Sequence, residues 1–362
     1  MKTIFEFLSY GILSLVLTLV IIPTIRSIAI KVNFVDKPNY RKVHLTPIPL
    51  VGGISIAMAF IVMIVVSNYR LTFLREYLSI FASAFVLLIV GVIDDKKEVS
   101  AKYKLIIQLL LALTIALSGT RITSFFGLFG IYEIVVWQQY AITVLLITGV
   151  VNAFNLMDGI DGLIGMLSLL GFTIFFFTAV YFKDYGLALS SIIFIGAVLG
   201  FLRFNLSSIK IFMGDSGSLF IGFILITEAI KFLQKHESAK NHPVSYTVLL
   251  LILFFSIPIL DSLRVYMGRI KKGNSPFSAD KSHLHHLFLG IGFSHKKTTL
   301  MIGLLFTFLL LFVSAMNSFL SLTMILLASI LLFTMIIRCL LMLNSLSQWT
   351  ARLKKLEKKQ AE

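Results

Sequence analysis

Three groups of oxygen-bearing side chains stand out in an otherwise apolar chain: Asp94 with Asp95; Asn155 with Asp158 and Asp161; and Asp215. Carboxylate and amide oxygens are hard donors suited to a divalent cation such as Mg2+, which in turn binds phosphate. These groups end the third, fifth and seventh apolar runs, so alternation of the chain across a bilayer gathers them on one face. An ionised Asp at mid-bilayer costs about 2.5–3.5 kcal/mol on insertion scales, so acids retained at span ends are functional candidates by default.

Each group also has a plainer reading. Asp94 and Asp95 precede Lys96, Lys97, Lys102 and Lys104. Adjacent carboxylates repel and stay ionised beside a cation or a Lys, which suits a metal ligand or a base; a solvated turn with surface ion pairs is the bland alternative. Asn152-Ala-Phe-Asn-Leu-Met-Asp-Gly-Ile-Asp-Gly-Leu163 is more specific. Its Asn and Asp residues recur every three positions, with Gly159 and Gly162 between them to let a ligand approach the backbone. That suits Mg2+ and a nucleotide, whereas a helix stop followed by an Asp cap explains only part of it.

In Phe212-Met-Gly-Asp-Ser-Gly-Ser218, unpaired N–H groups at the start of a span would bind phosphate, Asp215 would hold a bridging metal and Phe212 would stack on a base. Capping by Asp or Ser is the alternative. His283-Leu-His-His286 follows Asp280 and Lys281. Without Cys or a spaced fourth ligand, it fits a diphosphate clamp with Arg264, Arg269, Lys271 and Lys272 better than zinc. Its alternative is a basic loop at lipid headgroups. Arg41, Lys42 and His44 would contact a phosphate or anchor at the interface, ahead of prolines Pro47 and Pro49 and the Gly52-Gly53 pair, which prescribe a rigid turn and a close packing contact at the start of the second span. Glu228 reads as the one acid well inside a span, paired to Lys231.

The elements that must position these residues are membrane spans. Hydrophobic residues make up 58% of the 362, and the mean hydropathy is +0.95. The expected fold is an all-α polytopic bundle of about eleven spans, near 4–25, 48–68, 73–93, 103–120, 134–154, 163–182, 187–202, 216–233, 246–266, 298–316 and 319–343. The first run lacks a basic leader and a small-residue cleavage site, so it reads as a span. Lone Cys339 excludes an intramolecular disulfide. Without a repeat or long linker, residues 1–345 read as one transmembrane domain and 346–362 as a basic tail. The connection from Met267 to Lys297 is the longest on the aspartate face, and its Leu284 to Phe288 stretch suits a small interfacial helix.

Eight of the 32 Lys and Arg residues, among them Arg70, Arg75, Arg121 and Lys183, fall on the face away from the aspartates. The positive-inside rule therefore puts the aspartates and the C-terminus in the cytoplasm and the N-terminus outside. The net charge of +15 reflects this asymmetry and anionic headgroups. Nucleic acid is not an expected partner, since no soluble domain carries a groove-reading element.

Taken together and in order, the Asp-Pro/Arg-Lys/His/Pro/Gly-Gly stretch, the Asp-Asp pair, Asn-Leu-Met-Asp-Gly-Ile-Asp-Gly, Gly-Asp-Ser-Gly-Ser and His-Leu-His-His resemble the polyprenyl-phosphate N-acetylhexosamine-1-phosphate transferase family over nearly the whole chain. The His-x-His-His form is more similar to its N-acetylglucosamine branch than to its muramoyl-pentapeptide branch. The resemblance implies transfer of a sugar phosphate from a UDP-sugar to undecaprenyl phosphate, with Mg2+ (or Mn2+) as cofactor and a homodimer as one permitted assembly. It implies Asp215 and Asn155 at the metal and Asp94 and Asp95 at the lipid phosphate, with Asp94 as base. Asp158, Asp161 and Phe212 would line the uridine side, with Asp158 counted among the catalytic carboxylates. Lys102, Lys104, His283, His285 and His286 would meet phosphate or sugar.

Two other classes compete. An ion-coupled transporter would place its coupling charges near the midplane on broken helices, unlike these span-end acids. A metal-binding scaffold would explain the histidines but not the ordered Asp and Gly segments.

Overall fold

A computed structural model describes residues 2–38, 46–237, 242–275 and 282–361. Arg41, Lys42, His44, Asp280 and Lys281 lie outside the described residues. The helices are α1 (Lys2–Lys31), α2 (Gly52–Val66), α3 (Arg70–Lys97), α4 (Ala101–Leu117), α5 (Val136–Met157), α6 (Leu163–Phe182), α7 (Tyr185–Asn205), α8 (Gly214–His236), α9 (His242–Lys271), α10 (Leu284–Gly290), α11 (His295–Met316) and α12 (Leu322–Ala361). One small antiparallel pairing joins β1 (Val35–Asp36) to β2 (Ile48–Pro49).

The all-α expectation holds, because a helix satisfies its backbone hydrogen bonds within one segment, as the bilayer demands. Among the described residues, nine helices are long and apolar enough to cross a membrane, not eleven. The segments expected at 48–68 and 103–120 are helices of 15 and 17 residues, α2 and α4. At 1.5 Å per residue they span roughly 23–26 Å, short of a core of about 30 Å. The short helix expected over Leu284 to Phe288 is present as α10, and α12 runs unbroken from its apolar span through the basic tail.

The chain divides into two compact units, Met1–Thr247 and Val248–Glu362, with the boundary inside α9. In the first, α8 is the most enclosed span, 89% buried over its most apolar window, with α2, α3 and α5 packed on it. Glycine makes this possible. A Cβ on Gly53 would strike the backbone of Gly217, and one on Gly91 would strike that of Ser216, so α2 and α3 touch α8 backbone to backbone. The entry to α2 is fixed similarly: Gly52 N donates to Phe212 O (2.9 Å), Gly53 N to Met213 O (3.1 Å), and Phe212 N to Pro49 O (2.9 Å). First-turn amides, which have no partner inside their own helix, thus bolt α2 to the segment leading into α8.

In the second unit, α10 packs against α11 and α12, and Phe254 of α9 meets Phe306 of α11 edge-on at 6.0 Å.

The Glu228–Lys231 pairing expected from spacing does not form. Glu228 is fully buried and accepts from Ser190 Oγ of α7 at 2.5 Å. Lys231 donates to the Glu76 carbonyl and lies 5.0 Å from the centre of the Tyr77 ring. The α7 hydroxyl is nearer the carboxyl than a long side chain that reaches toward the helix end. Nor is Glu228 the only acid well inside a span, since Asp261 lies deep within α9.

Candidate active site

The first unit brings Asp94, Asp95, Lys104, Asn155 and Asp215 together. Asp94, at the last turn of α3, accepts from Val99 N through Oδ1 (2.5 Å) and faces Lys104 Nζ through Oδ2 (2.5 Å). Lys104, on the first turn of α4, reaches Asp215 Oδ2 with the same ammonium at 2.8 Å. One cation therefore sits between two carboxylates. Lys102, two residues earlier, is exposed.

Asp95 faces elsewhere. Its carboxylate accepts from Asp215 N (2.8 Å) and Ser216 N (3.2 Å), so it caps α8 from α3. Those amides were expected to be open for phosphate; Asp95 takes two of them, because a carboxylate held at a helix start satisfies orphan donors and the positive end of the dipole. Gly214 has a left-handed φ of 76°, and a Cβ there would press on Asp95 Oδ2 at 2.5 Å, so this junction requires glycine.

At the end of α5, the Asn155 side chain donates to Ser218 Oγ (3.0 Å) and lies beside the Asp215 carboxylate. Asp158 and Asp161 follow in the turn to α6. Asp158 is half-buried at its surface, yet the protein packed around it, with the charges of Asp215, Asp95 and Asp161, raises its carboxyl well above the usual range. Asp161 pairs with Lys210 Nζ at 2.6 Å. Gly162 N donates to Asn205 Oδ1 (2.6 Å) while Asn205 Nδ2 donates to Ile211 O (2.9 Å), tying this turn to the segment that carries Phe212. Phe212 itself is half-buried.

The histidines belong to the second unit. Asp261, fully buried, has its Oδ2 3.1 Å from His283 Nδ1, accepts from Leu284 N (3.1 and 3.0 Å), and pairs with Arg264 Nη2 at 2.6 Å. Arg264 Nη2 also donates to Ser282 O at 2.5 Å. A carboxylate on one ring nitrogen orients the imidazole and leaves the other free to work. Nε2 of His283 and Nδ1 of His285 are buried without a hydrogen-bond partner among the described residues. The His285 ring stacks on His283 at 6.0 Å and meets His286 at 4.2 Å. Burial, then the neighbouring His286 and His283, push its pKa down to about 3. His285 is therefore neutral near pH 7, and the chemistry it offers is that of a hydrogen-bonding imidazole.

Comparison with known proteins gives this geometry a family. The model of glycosyl transferase family 4 matches residues 77–233. A probable undecaprenyl-phosphate N-acetylglucosaminyl 1-phosphate transferase of Bacillus subtilis is 32% identical over 296 residues, covering 81% of this chain and 80% of its own. The chain belongs to glycosyl transferase family 4. An undecaprenyl-phosphate alpha-N-acetylglucosaminyl 1-phosphate transferase of Escherichia coli K12 is 33% identical over 285 residues, 77% of this chain and 75% of that protein. With nine helices among its described residues long and apolar enough to cross a bilayer, this family 4 member is a multi-pass membrane protein.

The matched stretch of the family 4 model holds every carboxylate of the first unit's cluster. Among the described residues, no group of three His, Cys, Asp or Glu is arranged to hold a metal alone. Mg2+ usually takes one or two carboxylates and completes its shell with water and substrate phosphate. The donors are hard oxygens, Asp215 keeps 34% of its side chain exposed, and Lys104 already occupies a cation's place between Asp94 and Asp215.

Sequence reasoning missed Asp261, Lys210 and Asn205. For Asp261 a signal existed: an acid embedded in an apolar run is a functional candidate by default. Lys210 and Asn205 sit beside commonplace residues and carry no local mark.

Proposed function

We propose that this protein transfers N-acetylglucosamine 1-phosphate from UDP-N-acetylglucosamine to undecaprenyl phosphate, releasing UMP, at the cytoplasmic face of a bacterial cytoplasmic membrane. The observation that carries this reading is the Asp94–Lys104–Asp215 triad at the start of α8, with Asn155 beside it. Such an arrangement neutralises phosphates and aligns them, which is most of what phosphoryl transfer asks of a protein. Names of the relatives supply the sugar and the lipid.

An oxygen of the lipid phosphate attacks the β-phosphorus of the donor. The bond from that phosphorus to the bridging oxygen breaks, UMP carries the electron pair away, and a polyprenyl-diphosphate sugar remains. Asp215 and Asn155 are the residues that would hold Mg2+, or Mn2+ in its place, and the ion supplies charge neutralisation on the diphosphate. Asp94 keeps Lys104 aimed at the reacting phosphates and takes any proton left on the acceptor. Asp95 acts by fixing α8 and hence Asp215. Asp158, Asp161 and Phe212 serve the uridine side. Lys102 adds positive charge near the acceptor. His283, His285 and His286, and Arg41 and His44, are assigned to phosphate and sugar on the family motifs alone.

The test is purified protein in detergent with undecaprenyl phosphate and Mg2+, offered UDP-N-acetylglucosamine or UDP-N-acetylmuramoyl-pentapeptide, with UMP release followed with and without chelator. Release with the first donor alone, lost on chelation, is expected. Release with the second alone would transfer the protein to the muramoyl-pentapeptide branch, and release with neither from folded protein would overturn the reading.

A further inference from the structure

Asn152 opens the richest motif of the chain, yet its side chain reaches none of the carboxylates. It turns to α4: Asn152 Nδ2 donates to Gln108 Oε1 at 2.6 Å and to Thr148 O at 2.9 Å. Gln108 is 2% exposed, a polar side chain sealed between two membrane helices.

Its place on α4 gives the contact a purpose. The buried residues of α4 are Gln108, Ala112, Ile115 and Ala116, one stripe facing inward. Lys104 lies one turn before Gln108 on the same stripe, since residues four apart share a face. In the part of α4 that carries Lys104 no large apolar side chain is fully buried, Leu105 and Ile107 being half-buried, and the helix is only 17 residues long. Between membrane helices apolar packing alone is a weak guide to rotation and register, because lipid tails are as apolar as the side chains; a polar contact is directional. On the other side, Asn152 is one turn before Asn155, which meets Ser218 and Asp215. A single hydrogen bond thus sets the register of the two helices whose next polar residues converge on Asp215.

We infer that Gln108 and Asn152 are positioning residues, an intramembrane amide pair that holds α4 in the rotation and height from which Lys104 spans Asp94 and Asp215. The structural part is independent of the proposed activity, and only the kinetic consequence rests on it.

The experiment uses the full chain in detergent and the variants Gln108→Leu, Asn152→Leu and the exchanged pair Gln108→Asn/Asn152→Gln. Acetic anhydride labelling at Lys104 is read by peptide mass, with exposed Lys102 as the internal reference. Loss of the amide contact is expected to raise Lys104 labelling relative to Lys102 by about threefold to tenfold, the range set by intramembrane hydrogen bonds. The exchanged pair, which keeps two amides and their summed length, should recover most of the protection. In the UMP-release assay Gln108→Leu should lower kcat while leaving the donor KM within about twofold, since no contact to the donor is removed.

Unchanged Lys104 labelling in folded Gln108→Leu would overturn the inference. Should that variant not fold, Gln108→Asn alone, one methylene shorter, carries the same labelling test. Freed Lys104 with undiminished kcat would uphold the positioning and count against the catalytic site proposed above.

Discussion

Asp215 is held by a salt bridge from Lys104, by Asn155, and through its own backbone N–H by Asp95. Its side chain is therefore placed by α3, α4 and α5 at once, and removing its charge leaves that scaffold standing. Asp215→Asn is expected to lower UMP release by about 10²–10³, the usual effect of losing one preorganised electrostatic group, with an unchanged gel-filtration profile. Wild-type turnover in that variant would remove Asp215 from the metal. His285 makes a different prediction. Its pKa falls from 6.5 to about 3 on burial beside His286 and His283, so protonation favours the unfolded chain. This residue's contribution to stability is present above pH 6.5 and is lost progressively as the pH falls toward 3. Melting temperatures of wild type and His285→Phe, compared at pH 7.5 and 5, should show a smaller acid-induced drop in the variant; parallel drops would refute it. Asp94, Asn155, Asp158, Asp161 and Asp215 were legible as candidates because residue types that bind metal and phosphate stood at span ends, and the histidine triplet because three imidazoles stood together in the longest connection of the aspartate face. Asp95 was legible as a carboxylate, but its partner lies 120 positions away, and spacing along a chain says nothing of such distances.

At the scale of elements, the site depends on how closely α2, α3 and α8 approach. The Gly52-Gly53 pair could be read from the sequence as a close contact, but not which backbone would meet it. Since the atom facing Gly53 is the main chain of Gly217, no rotamer change can make room for a side chain. Gly53→Val is expected to destabilise the protein by about 1–3 kcal/mol through overpacking, visible as a lower melting temperature in detergent. Because α2 is also pinned to Phe212 and Met213, turnover should fall further than stability alone predicts. An unchanged melting temperature would mean that the helices separate without cost. Span boundaries were legible to a few residues because apolar runs mark them. The capped start of α8 at Gly214, two residues before the expected 216, was not, since a cap supplied from another helix leaves no local signature.

For the whole molecule, the acids and most basic residues share one face in the proposed topology. In a Cys339→Ser background, Lys102→Cys should react with an impermeant maleimide only after the cells are opened. Tyr132→Cys, exposed in the α4–α5 connection, should react in intact cells. The reverse pattern would invert the assigned orientation. The eleven apolar segments read from hydropathy all appear as helices, but composition alone did not reveal that α2 and α4 fall short of a full bilayer. Division of the chain inside α9 was equally hidden, because the helix is continuous in sequence pattern there. The glycine contacts have one more consequence. Helices that meet main chain to main chain take their spacing from atoms common to all residues, so the geometry of the carboxylates owes little to the outer, lipid-facing side chains. That outer coat is free to drift, and one catalytic frame can be refitted to membranes of different thickness or composition without being rebuilt.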